Sequence, residues 1–160
     1  MPTPEERLAE LGLSVPEVVP PVAAYVPAVA SGRHVFTAGQ LPMKNGVLMA
    51  TGKVGAEVTP EIAHECARQC ALNALAAIRS VTGDLAGVRI VKVVAFVAST
   101  PDFTGQPGVA NGASELFGKV FGDAGVHARS AVGVPVLPLD APVEVEVIAE
   151  IPAAIEGGVE

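Results

Sequence analysis

The strongest periodicity in the chain lies between residues 59 and 81. There Ile62, Cys66, Ala67, Cys70, Ala71, Ala74, Leu75 and Ile78 recur at helical spacing and form one apolar stripe. Thr59-Pro60-Glu61 supplies a capping hydroxyl, a first-turn proline and a first-turn acid, and Gly83 supplies the stop. A second helical pattern covers Gln106 to Phe121, carrying Val109, Leu116, Val120 and Phe121 and weakened by Gly108 and Gly112. A short helix starts at Thr3-Pro4-Glu5-Glu6, where Glu6 is placed to complete a capping box, and ends near Leu11 at Gly12. Pro16, Pro20 and Pro21 then predict an extended arm, because proline has no N–H and biases its predecessor away from helix.

Elsewhere the pattern is that of strands. Val22 to Val29 predicts one, Ser31-Gly32 a turn and Arg33 to Ala38 the return. Asn45-Gly46 suits a tight hairpin turn before Val47-Leu48-Met49. Val88 to Ala98 is almost continuously apolar, broken by Arg89 and Lys92, and predicts a central strand covered on both faces. Ala128 to Ala149 reads as two alternating strands around a Pro-rich corner, a hairpin folded near Leu139. The order β-β-(β)-α-β-α-β-β predicts an α+β protein, a mixed sheet with two helices on one face. We expect one domain over residues 1–160, with a helix and arm over 1–20, a core over 21–150 and a fraying tail over 151–160.

Composition adds a partner to this picture. Half the 160 residues are apolar and 17% are charged, yet no apolar run approaches the roughly 18–20 residues that span a bilayer. The surplus apolar surface, and the valine-rich face that two helices would leave uncovered, predict contact with further copies of the chain. A net charge of −7 without a basic cluster argues against nucleic acid. Met1 to Glu6 lacks the features of a signal peptide, and two cysteines four apart make no disulfide framework. A cytoplasmic protein is expected.

Against this charge-poor background two groups in the valine-rich strands need a reason. Alternation puts Val143, Val145 and Val147 on one face and Glu144, Glu146 and Ile148 on the other. Arg129 heads the preceding strand, and a guanidinium can hold a small acid through paired hydrogen bonds. The plainer reading is a salt bridge to Glu144, Glu146 or another acid. In a hairpin folded near Leu139, however, Arg129 would oppose about Ala149. A site shared with Glu144 needs a bend, an intervening ligand or a second subunit.

The remaining candidates read as structural. Cys66 and Cys70 have metal-compatible spacing but fall within the apolar stripe, as core thiols do. His34, His64 and His127 form no HExxH motif; His64 reads as solvated, while His127, two residues before Arg129, can reach the same cleft. Gly52 and Gly55 make no phosphate loop. Thr37, Ser114 and Ser130 lack an adjacent histidine signature for a nucleophile.

Arg129-Ser130-Ala131-Val132, Leu137-Pro138 and Val143-Glu144-Val145-Glu146 together resemble the RidA/YjgF family of reactive-intermediate deaminases, also described as L-PSP-like endoribonucleases. Tyr25-Val26-Pro27-Ala28-Val29, Val35 to Pro42 and Lys92 to Phe103 resemble its other segments in the same order, so the likeness covers about residues 20–150. The N-terminal helix and the longer segment before Thr59 resemble a longer branch. The resemblance implies a chorismate-mutase-like fold, a homotrimer with clefts between subunits, and hydrolysis of enamine or imine acids such as 2-aminoacrylate to a 2-keto acid and ammonia. That is the activity of a 2-iminobutanoate/2-iminopropanoate deaminase. It would need no metal or cofactor, because an iminium carbon is already electrophilic. By the same resemblance Arg129 binds the substrate carboxylate and Glu144 activates water. Tyr25, Gly39 and Asn111 line the cleft. Ala38 stands where the family has serine and Ala131 where it has cysteine, which predicts a more apolar pocket and an activity that is either redirected in substrate range or lost. A non-catalytic trimeric binder of small carboxylates is the alternative, and endoribonuclease activity comes third because of the net charge.

Overall fold

The computed structural model describes residues 1–21 and 23–155. Its elements are α1 (Pro4–Glu10), β1 (Ala28–Ser31), β2 (His34–Thr37), β3 (Met43–Lys44), β4 (Val47–Leu48), α2 (Pro60–Thr82), β5 (Arg89–Ala98), α3 (Gln106–Phe121), β6 (Ala128–Val134) and β7 (Val143–Glu150), with short 3-10 turns at Gly122–Gly125 and Pro138–Asp140. Five strands form a mixed sheet in the order β1-β2-β7-β5-β6, and β3 pairs with β4 alone. β5 and β6 run parallel; the other neighbours in the sheet are antiparallel.

The helices end where their caps place them. Thr59 Oγ1 accepts from the Ile62 N–H at 3.2 Å, and Gly83 terminates α2 at a φ of 85°. In α1 the Thr3 and Glu6 side chains cap reciprocally, at 3.1 and 2.7 Å. Apart from Ile62, which is 46% exposed, the α2 stripe is buried against the sheet, as are Val109, Ala113, Phe117 and Val120 of α3. Val143, Val145, Val147 and Ala149 meet them from β7, each at most 1% exposed. The helices cross closely at Gly112, where a Cβ would lie 2.0 Å from the His64 carbonyl oxygen.

Cys66 and Cys70 are both fully buried in this core, as the stripe predicts. Burial, with Glu65 nearby, pushes the Cys66 thiol up to about 11, and burial likewise drives Cys70 well above its ordinary value.

Several expectations need correction. β6 and β7 do not form a hairpin, because β5 lies between them. The 135–142 connection passes across the end of β5, where Ala98 N–H donates to Pro142 O at 2.9 Å and Ser99 N–H to Val134 O at 3.1 Å. Alternation reports which face a residue takes but not which strand it pairs with. β5 is interior, yet within one chain only one of its faces is covered; Val94 and Phe96 on the other face are partly exposed. The first strand starts at Ala28 rather than Val22, which lies outside the described residues, and Ala23–Tyr25 form a bend. The turn falls on Gly32 and Arg33. Ile151 belongs to the core rather than to a frayed tail. Its N–H donates to Arg33 O at 2.8 Å, and Arg33 Nε returns a bond to Ile151 O at 3.0 Å.

The sheet face away from the helices carries Val29, Phe36 and Val132, exposed by 53%, 44% and 44%.

Candidate functional site

Parallel pairing sets Arg129 opposite Val93, whose side chain is fully buried under the helices. Arg129 consequently points toward the helix side, at the edge of the sheet and beside α3. Its Nη1 donates to Asn111 Oδ1 at 2.7 Å and to Ser114 Oγ at 3.2 Å, and its Nη2 donates to Pro107 O at 3.3 Å. All three acceptors are neutral. Among the described residues no carboxylate pairs with Arg129. Of a guanidinium's five N–H groups, these bonds use three and leave Nε–H and one Nη2–H.

Glu144 faces the other way. It lies opposite Phe96 on the open face of the sheet, with its carboxylate over the backbone of Gly39. A Cβ on residue 39 would stand 1.9 Å from Glu144 Oε1, so a glycine is what lets the carboxylate sit there. The next residue fixes that backbone: Gln40 N–H donates to Val145 O at 2.8 Å, and Val145 N–H donates to Gln40 O at 3.0 Å. The Glu144 side chain is half-buried and makes no hydrogen bond among the described residues. Burial, and then the Glu146 carboxylate on the same face, raise its pKa above the ordinary value of 4.5.

Tyr25, 46% exposed, and Gly39 line one cavity of about 840 Å³ with Pro27, Gln40 and the arm of residues 12–21. Ala38 is adjacent; its carbonyl accepts from Gln40 Nε2 at 3.3 Å. Ala131 lies on the Arg129 face, opposite Ala95, with its methyl against the core. The residues expected at the site thus fall into two groups. Arg129, Asn111 and Ala131 occupy one side of the sheet, and Tyr25, Ala38, Gly39 and Glu144 belong to the other group. β5 separates the two strands that carry Arg129 and Glu144. One chain does not bring the arginine and the glutamate together.

The structure adds Gln69 and Asn73, which the sequence did not single out, and contacts for Ser114 and the histidines that it did not foresee. Gln69 Nε2 donates to Asn73 Oδ1 at 3.1 Å, and Asn73 Nδ2 donates to the carbonyls of Leu41 and Met43 at 3.0 and 2.9 Å. This buried pair pins the β3–β4 hairpin over the cavity wall. Ser114 Oγ lies 2.8 Å from His127 Nε2, a contact across 13 residues that no adjacent motif announces. The contact has the outline of a nucleophile with its base, but Ser114 sits inside α3, where the backbone N–H groups are committed to the helix and cannot stabilise an oxyanion. His64 is not simply solvated: it stands 3.6 Å from Glu65 and 3.5 Å from Glu115. His34 lies on the open face beside Phe36.

Residues 5–151 match the family model described as YjgF/chorismate mutase-like, putative endoribonuclease. Protein TCP17 of Trypanosoma cruzi is 43% identical over 147 residues, covering 91% of this chain and 92% of that protein. The crystal structure of the protein Atu1372 from Agrobacterium tumefaciens, of unknown function, is 44% identical and superposes with a TM-score of 0.86 over 92% of each chain. The crystal structure of E. coli TdcF with bound serine is 28% identical, with a TM-score of 0.59 over 85% of this chain and 92% of that one. No helix among the described residues is long and apolar enough to cross a membrane.

Proposed function

The chain belongs to the YjgF/chorismate mutase-like family, and from that membership we propose that it hydrolyses small reactive enamine and imine acids to 2-keto acids and ammonia, in clefts between the subunits of a homotrimer. The observation that carries this reading is Arg129. It is oriented by three neutral acceptors, paired with no acid, and left with two donors, the number a carboxylate takes up. The Asn111 side-chain N–H groups stand beside it, because its oxygen faces the arginine.

Arg129 and Glu144 lie on opposite faces of the sheet, so the reading requires Arg129 of one subunit to meet Gly39 and Glu144 of a second. The apolar open face carrying Val29, Phe36 and Val132 is the surface available for that contact. With the substrate carboxylate held by Arg129, its C=N carbon lies toward Glu144 through one water. Glu144 takes a proton as that water attacks and hands it to the nitrogen; the C–N bond then breaks to release ammonia while the hydroxyl proton passes back to Glu144 and the carbonyl is left. The raised pKa of Glu144 suits it to this work, since a stronger base accepts the proton more readily.

The test supplies freshly generated 2-iminopropanoate and follows pyruvate. Wild type should exceed buffer, and Arg129→Ala should lose about 10- to 150-fold in kcat/KM, as expected for a charge-assisted pair worth about 1.5–3 kcal/mol. Mixed trimers assembled from Arg129→Ala and Glu144→Gln chains should recover about one quarter of wild-type activity, the chance that neither side of a cleft carries its lesion. A wild-type protein no faster than buffer on several imino acids refutes the reading.

Ala38 and Ala131, both without a polar side chain, together with the serine bound to TdcF, favour a second reading: a trimeric binder of small carboxylates without turnover. On that reading Arg129→Ala abolishes binding, while Glu144→Gln leaves affinity intact. Ribonuclease activity is disfavoured by the net charge of −7, and salt-dependent RNA binding would reopen it.

A further inference from the structure

We propose that Ser114 and His127 are positioning residues for the carboxylate clamp, holding the Arg129 guanidinium through a one-way chain of hydrogen bonds that begins at the Gly125 carbonyl. The proposal rests on the reading of Arg129 as the group that binds the substrate carboxylate.

The direction of the chain follows from its first link. His127 Nδ1 lies 2.6 Å from Gly125 O. A carbonyl can only accept, so Nδ1 carries the hydrogen. In the neutral ring this makes Nε2 the acceptor, and the Ser114 hydroxyl 2.8 Å away donates to it. The serine lone pairs are then turned to Arg129 Nη1, which donates to Oγ at 3.2 Å. The ring itself is held edge-on against Phe117, with centroids 6.0 Å apart and an interplanar angle of 89°. Phe117 is fully buried.

Each link fixes the next. Without the Gly125 carbonyl either tautomer of His127 would serve, and Ser114 could offer Arg129 a hydrogen instead of a lone pair. Asn111 and Ser114, three apart on one face of α3, bind the two Nη1 hydrogens and fix the plane of the guanidinium. That plane sets where Nε–H and the remaining Nη2–H point, and hence the angle at which a carboxylate is received.

The test measures binding of 2-oxobutanoate, an unreactive keto acid, beside turnover of 2-iminopropanoate. Ser114→Ala and His127→Leu should each raise Kd and KM about tenfold, the loss expected of about one hydrogen bond to a charged group. The change in kcat should stay within about twofold, because neither residue touches the reacting carbon. Ser114→Thr, which keeps the hydroxyl, should restore Kd. In nitrogen-resolved NMR the Arg129 Nη1 hydrogens should be distinct and slowly averaged in wild type and should collapse in Ser114→Ala. A Kd within twofold of wild type in Ser114→Ala, with binding abolished in Arg129→Ala, overturns the positioning role and leaves the clamp standing. Equal binding by wild type and Arg129→Ala overturns the clamp itself, and the proposal with it. Labelling of Ser114 by a fluorophosphonate, lost in His127→Leu, overturns the proposal in favour of a nucleophile.

Discussion

Gly39→Ala separates the placement of Glu144 from the stability of the fold. The backbone at residue 39 is not in the left-handed region, so alanine meets no conformational strain. What its Cβ meets is the Glu144 side chain, at 1.9 Å from Oε1, 2.8 Å from Cδ and 3.0 Å from Cγ. Ordinary contact begins near 3.4 Å, so the oxygen must retreat by 3.4 − 1.9 = 1.5 Å. A glutamate end can swing away for about 0.5–1.5 kcal/mol of torsional cost. In a protein of this size that lowers Tm by less than about 6 °C. A base displaced by more than 1 Å, by contrast, should cost roughly 100-fold in kcat, about 2.7 kcal/mol of barrier. Gly112→Ala is the control. Its Cβ would stand 2.0 Å from the His64 carbonyl, a backbone atom that cannot rotate aside. The helices must part, at about 1–3 kcal/mol or more, while kcat per folded molecule holds. Calorimetry and initial rates on both variants decide the matter. A Gly39→Ala protein with near wild-type kcat would show that the position of Glu144 does not matter. A Tm loss equal to that of Gly112→Ala would show that Gly39 serves packing.

Glu144→Gln should raise stability near neutral pH. Its folded pKa is above 4.5, so the folded chain binds that proton more tightly than the unfolded one, and stability falls as pH rises from the unfolded value through the folded one. The variant's Tm advantage should therefore appear above that window and vanish below about pH 4; a variant less stable than wild type at pH 7 contradicts the sign. Asn73→Ala strips donors from the Leu41 and Met43 carbonyls and an acceptor from Gln69. It should cost about 2–3 kcal/mol in urea unfolding and speed amide exchange in the β3–β4 hairpin. A cost below about 0.5 kcal/mol would mean that water replaces all three bonds.

Much of the scaffold was legible because local rules decided it. Thr59, Pro60 and Gly83 bracket α2 within a residue, and the bounds of α3 fall at the expected Gln106 and Phe121. Asn45-Gly46 makes its turn with both residues at positive φ, 53° and 78°. Pairing was not legible. The same alternating valines would serve a β6–β7 hairpin as well as two strands flanking β5, and the choice is made by a crossover through α3. The two-sided distribution of the candidate site was hidden for the same reason. The parity of Arg129 against Glu144 has meaning only once their shared neighbour β5 is known. The pairing of Ser114 with His127 escaped notice, though each was considered singly, because residues on a helix and on the segment entering a strand meet only through tertiary packing.

β7 leaves the ribosome after every other described strand, yet it is the strand that joins β2 to β5. Until residue 150 has emerged, the β1–β2 hairpin and the α2–β5–α3–β6 unit share no strand pairing, and each presents a raw sheet edge. Closure of the sheet must therefore wait for translation of β7 rather than accompany that of the earlier strands. A nascent chain stalled before Val143 should be captured by chaperones and cut by proteases as two loose halves, while one released a few residues past Ile151 should close in a single cooperative step.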